Sequence, residues 1–133
     1  MQTAIDQFRT SIRHVRNLGA IYKAIRAQTT DILDLSDVLR AELVLAVSAL
    51  DHYVHEIVRL GMLEIYRGSR APTPTFLKFS VSLSSVLQGI AAPASDIWLE
   101  DEIRARQGWQ SFQHATRVAE AIRLVGHAAN NWC

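Results

Sequence analysis

The chain has little with which to staple, anchor or charge itself. Its single cysteine, Cys133, has no partner within the sequence, so an internal disulfide is excluded. That usage fits a reducing cytoplasm. No apolar run is fit to cross a bilayer, which takes about 20 residues. The greasiest stretch, Ala41 to Leu50, is short and is broken by Glu42 and Ser48, so no membrane partner is expected. The opening MQTAIDQFRTSIRHVR is amphipathic rather than charged and then apolar, which argues against a secretion signal. A formal net charge of +1 with no basic run says little about partners. There is no phosphate-cradling glycine loop and no His-Glu-x-x-His. One cysteine cannot assemble a zinc site, and the histidines at 14, 52, 55, 114 and 127 are scattered. No cofactor and no metal site is therefore expected. Internal repeats, low-complexity tracts and a linker are also missing, so residues 1–133 are expected to form a single domain.

What is present is helical periodicity, and it centres on Ser36 to Gly68. Ser36 or Asp34 can cap a first turn, Asp37 places negative charge at the N-terminus, and Gly68 can take the left-handed conformation that stops a helix. No proline interrupts the stretch, which predicts a helix of roughly 30 residues, about 45 Å long. Ala41 to Leu50 is apolar nearly all round, which predicts cover on every face. Leu43, Val47, Leu50, Val54 and Ile57 are the expected core of this helix. Leu50→Ala should then cost about 2–5 kcal/mol.

Before it, Ile5, Phe8, Ile12, Val15, Leu18, Tyr22 and Ile25 step by threes and fours, describing one stripe of a helix over residues 2 to about 27. The opposite face carries Asp6, Arg9, Arg13, Arg16 and Lys23, with Arg26 close by. Such a strip is either a solvated face or a surface that neutralises phosphates. After the central helix, GSRAPTPT reads as a loop. Beyond it the pattern predicts a helical turn near Phe76–Phe79 and a helix from about Val81 to Gly89. Another helix, capped by Ser95 or Asp96, ends at Gly108, with Ile97, Trp98, Leu99 and Ile103 on its buried edge. A last helix carries Ala115, Val118, Ile122, Val125, Ala129 and Trp132 as its stripe, and is still in pattern where the sequence stops. The fold class is all-α: two long antiparallel helices and three or four shorter ones.

Arg40, Asp51, His55 and Arg59 form a polar stripe along the central helix. Asp51 and His55, one turn apart, make either a local i,i+4 pair or a carboxylate that orients a partner's arginine or histidine. Arg40, Asp51 and His55 are thus the residues that face a site, if this helix has one.

The run LRAELVLAVSALDHYVHE, followed in order by WLEDEIR and SFQHATRVAEAIRLV, resembles the HEPN domains, in the branch linked with RiboL and PSP sequences. The resemblance covers roughly residues 30 to 133. It implies an all-α bundle, usually a homodimer, that often acts as a metal-independent ribonuclease in toxin–antitoxin, phage-defence or RNA-processing systems. RNA, a second copy of the chain or a heterologous protein are the implied partners. The family's catalytic signature is an arginine, four to six residues, then a histidine, supplied by both halves of a dimer. This chain departs from it: three residues separate Arg123 from His127, nine separate Arg117 from His127, and seven separate Arg106 from His114. No catalytic residue is therefore assignable. Two accounts stay open, a motif-bearing helix beyond Cys133 or a natural loss of catalysis. In the second, the protein is a non-catalytic dimerisation module that binds RNA or protein.

Overall fold

The computed structural model describes residues 2–28, 34–108 and 111–126. They form five α-helices and no strand: α1 (Gln2–Gln28), α2 (Ser36–Tyr66), α3 (Leu83–Ala91), α4 (Ile97–Gln107) and α5 (Ala115–Val125). A 3₁₀ turn, Phe76–Lys78, precedes α3. None of the helices among the described residues is long and apolar enough to cross a membrane. By its internal packing the chain divides into two compact units, Gln2–Tyr53 and Val54 onward.

The first unit is a helical hairpin. Phe8 of α1 stacks on Tyr53 of α2 with ring centroids 4.7 Å apart. Gly19 lies against the Glu42 carboxylate, where an added methyl would stand 2.6 Å from its oxygen. Contacts that advance along α1 while retreating along α2 require antiparallel helices. The stripe expected for α1 is the one turned inward: Val15 is buried, and Ile5, Phe8, Ile12, Leu18, Tyr22 and Ile25 are half-buried. Ala4 is buried beside them.

The expected cover over Ala41–Leu50 is absent. Leu43 is 66% exposed, Val44 62%, Leu45 49% and Leu50 44%, and Val47 is only half-buried. The reason is the number of neighbours: within this unit α1 alone packs on α2, and one helix shields one side of another. The stretch that is surrounded lies later. Val54, Val58, Gly61, Met62, Leu63 and Ile65 are all buried, while Ile57 is half-buried.

In the second unit, that part of α2 packs with Leu99 and Ile103 of α4, Ala121 and Val125 of α5, and Phe112. The edge of α4 runs Leu99, Ile103, Gln107 at steps of four. Ile97, expected on that edge, is exposed instead, because it stands a quarter turn or more from the Leu99 line at the helix start. Ile122 is likewise exposed, and Ala121 and Leu124 join Val118 and Val125 on the inward side of α5. α5 ends at Val125, where Gly126 adopts extended backbone (φ −121°, ψ 137°). A helix continuing in pattern to the end of the sequence is thus corrected at Gly126, while Ala129 and Trp132 lie outside the described residues.

The helix ends follow their local chemistry. Asp34 accepts a hydrogen bond from the Ser36 backbone N–H (2.9 Å), which also holds its carboxyl below the usual range. At the other end of α2, Gly68 takes φ +75°. Its N–H reaches the Ile65 carbonyl, and the Ser69 N–H reaches that of Glu64. This is a Schellman closure, in which the left-handed residue lets the chain fold back over the last turn. Ser82 caps α3 by accepting from the Ser85 N–H. At the head of α4, Asp96 pairs with Arg67, and the Ser95 hydroxyl accepts from Ile97 N. The loop after α2 is pinned to the tail of α5. The buried Thr73 hydroxyl donates to the Leu124 carbonyl (2.8 Å), and Arg70 Nη1 donates to that of Val125 (2.9 Å). A cation at this end also offsets the helix dipole.

Truncations should divide along these lines. Ile103→Ala, at a site with no exposure, should cost about 2–5 kcal/mol. Leu50→Ala, at 44% exposure, should cost less than about 1 kcal/mol. Denaturant melts of the two variants check this, and equal losses would mean that the core extends over Leu50.

Candidate functional site

Two residues of the α2 polar stripe, Arg40 and Arg59, are engaged with carboxylates. Arg40 is exposed and pairs with Asp37 one turn away (2.9 Å), so that contact is local helix chemistry. Asp51 is half-buried in the hairpin unit. Arg59, half-buried, forks onto Glu56 through Nε and Nη2 (3.2 and 2.7 Å) and reaches Glu100 of α4 through Nη1 (3.0 Å). Glu56 above all, then Glu100, holds its guanidinium above the ordinary range. Glu100 takes a second arginine, Arg104, at 2.8 Å. Arg59 is therefore a tie between α2 and α4.

His55 differs. Its Nδ1 stands 3.5 Å from Gln107 Oε1, and its ring lies 4.5 Å from that of Phe112, tilted by 58°. Gln107 and Phe112 are also walls of an open cleft of about 380 Å³, together with Thr75, Phe79, Arg106 and Arg117. Ala121 and Leu124 close its apolar side, and Glu120 stands at its rim.

Each cleft residue is placed by the helix beneath it. Gln107 continues the Leu99–Ile103 edge of α4 and is 9% exposed, a polar residue at a core position. Arg106, one residue earlier, lies over the Phe79 ring with its guanidinium carbon 5.2 Å from the centroid. It also meets Glu102 through Nε at 3.4 Å. Glu102 in turn accepts from the hydroxyls of Ser85 (2.6 Å) and Ser82 (2.9 Å) and from the Ser82 N–H. Those serine hydroxyls, Ser85 first, hold its carboxyl below the usual range. Arg117 sits on the first turns of α5 and meets Glu120 at 3.5 Å with both side chains more than half exposed. Such a contact is worth little and is readily exchanged.

The second surface is the outer face of α1. Asp6, Arg9, Arg13, Arg16, Lys23 and Arg26 are all exposed. Arg9 meets Asp6 at 3.7 Å, and Arg26 lies against Tyr22, donating to its hydroxyl at 2.8 Å. Five bases against one acid give α1 a net charge of +4. The whole chain carries +1, so the remainder carries −3. That segregation was legible in the sequence, although the overall charge conceals it.

Comparison with family models, with curated proteins and with solved structures gave no match. Among the described residues, no group of three or more His, Cys, Asp or Glu is arranged to hold a metal ion. A second depression, lined by Tyr66, Arg67, Pro93, Ala94, Ser95 and Asp96, has its charges already paired with each other through Arg67 and Asp96.

The cleft residues Phe79, Arg106, Gln107, Phe112 and Arg117 fall outside the sequence-derived candidates. The signal that points to them is Gln107, which follows Leu99 and Ile103 at steps of four and so carries an amide into a buried row.

Glu102 gives this region a signature in acid. A depressed carboxyl stabilises the fold fully above its unfolded pKa, about 4.3, and loses that contribution as pH falls through the lower folded value. Glu102→Gln should therefore lower the melting temperature at pH 7, and the gap to wild type should close on acidification below about pH 4. Parallel melting curves across that range would show that the serine contacts do not stabilise the ionised form.

Proposed function

We propose that this chain is a HEPN-type, RNA-associated helical module that holds single-stranded RNA by its phosphates. The exposed basic face of α1 carries the reading. Arg9, Arg13, Arg16 and Lys23 fall within about 80° of one helix face and extend over roughly 21 Å. A row of cations along one face can neutralise several phosphates of a strand, and each neutralised phosphate releases counterions to solution. The resemblance of the central-helix, WLEDEIR and SFQHATRVAEAIRLV blocks to HEPN domains supports RNA over other polyanions.

Binding is favoured over cleavage for the residues in hand. A metal-independent endoribonuclease of the toxin–antitoxin or phage-defence type needs an arginine and a histidine converging on one phosphate. His55 is directed at Gln107 and Phe112 rather than at an arginine of the cleft. The test uses labelled single-stranded RNA in EDTA with increasing salt. The affinity should fall with a log–log slope of about −3, four cations at about 0.7 each. The double variant Arg13→Glu, Arg16→Glu should bind at least tenfold more weakly with a shallower slope. Unchanged binding by that variant would remove α1 as the RNA surface, and robust cleavage would restore the nuclease reading.

A partner completes the proposal. Leu39, Leu43 and Leu50 are exposed at steps of four and seven on one side of α2. Contiguous apolar surface of this kind is commonly covered by association. The expected arrangement is a homodimer, with a heterologous protein as the alternative occupant. Light scattering during gel filtration should give about twice 14.9 kDa at micromolar concentration. A clean monomer, unchanged by Leu43→Glu, would argue that this face stays uncovered in isolation.

A further inference from the structure

We infer that two exposed apolar stripes of this chain cover each other between copies, the α3 stripe of one copy lying on the first half of α2 of the other. The inference rests on the dimer reading above and names which surfaces meet in it.

α3 is seated with its less apolar side inward. Gly89 lies against the Trp98 indole, where an added methyl would stand 2.8 Å from the ring, and the Ser82 and Ser85 hydroxyls donate to Glu102. The helix contributes no buried residue. Leu83, Leu87 and Ile90 follow at steps of four and three along one side of it and are 75%, 59% and 71% exposed. Nine residues are too few to hold a helix in water by propensity alone, so this one depends on its contacts, and its apolar stripe adds none within the chain. Leucines and isoleucines at that spacing are the anchors by which one helix lies along another.

Area decides against pairing like with like. Leu83, Leu87 and Ile90 offer on the order of 400 Å², and Leu39, Leu43 and Leu50 of α2, with Val44 beside them, offer about the same. Either stripe set on its own two-fold mate would bury about 800 Å² in all, short of the roughly 1,000 Å² that a specific interface clears. A two-fold pair in which each copy sets its α3 on the α2 of the other covers all four stripes. It buries about 1,600 Å², the size of a standard stable complex.

Charge selects the same pairing. Residues 34–53 carry Asp34, Asp37, Glu42 and Asp51 against Arg40, a net −3. Two such faces would set like charge against like charge. Residues 78–91 carry Lys78 alone, a net +1, and α3 itself has no charged side chain. α3 therefore meets the acidic face of α2 without repulsion and with no charge of its own to strip of water.

The test is disulfide trapping between full-length chains in a Cys133→Ser background, at micromolar concentration. One chain carries Leu43→Cys and the other Leu87→Cys, both at exposed positions. Oxidising the mixture should give the disulfide between positions 43 and 87 in large excess over either like-with-like product. In light scattering, Leu87→Glu should weaken the dimer about tenfold or more, as Leu43→Glu should. If the Leu43→Cys chain alone forms its disulfide as readily, α2 meets α2, so the dimer reading stands and this pairing falls. A dimer that is unchanged by Leu87→Glu also overturns the pairing alone. A monomeric wild type overturns both.

Discussion

The constraint on which the second unit depends is that the end of α2 must be enclosed. Val58 and Met62 have no exposure and Leu63 and Ile65 almost none, so the helix needs neighbours on several sides within three turns. α4 meets it with Leu99 and Ile103, α5 with Ala121 and Val125, and the link before α5 with Phe112. Arg59, held by Glu56 on its own helix, then joins α2 to α4 at the edge of that core through Glu100, a fork that fixes orientation better than a point charge would. Gln107 and Arg106 reach the cleft only because α4 is held at this rotation.

Much of the fold was legible because helices announce themselves by period and by punctuation. The α1 stripe, the stop at Gly68, the Phe76 turn and a helix near Val81–Gly89, observed at Leu83–Ala91, all follow from local spacing and from residues with one strong conformational habit. What period cannot supply is the number of neighbours. Ala41–Leu50 and Val54–Ile65 are both rich in apolar residues, and composition marks the first as the better candidate for enclosure. The chain gives the first stretch one partner within its unit and the second stretch several. At Ile97 and Ile122 the error has the same origin: on a short helix two stripes compete, and the partner decides between them.

The site was less legible. The polar stripe Arg40, Asp51, His55 and Arg59 is a real helical register, yet Arg40 turns to Asp37 and Arg59 to Glu56 and Glu100. Of that stripe, His55 reaches residues that line the cleft. The other cleft residues come from three separate segments, and no local spacing connects Phe79 to Arg106 or to Arg117. A motif search compares positions near in sequence and so passes over a surface built by tertiary packing. Charge segregation is the exception, because α1 carries its cations within a single helix.

The pin between Thr73 and the end of α5 bears on how the chain reaches its structure. Thr73 and Leu124 are 51 positions apart, and Arg70 and Val125 are 55 apart, so neither contact forms until a long loop has closed. Helix α2 and its Schellman turn rely only on neighbours in sequence and can form ahead of that closure. The wall carrying Ala121 and Leu124 is then among the last parts to settle. In a folding intermediate with α5 undocked, the cleft would not yet exist, and any ligand that binds there would act on the final docking step alone.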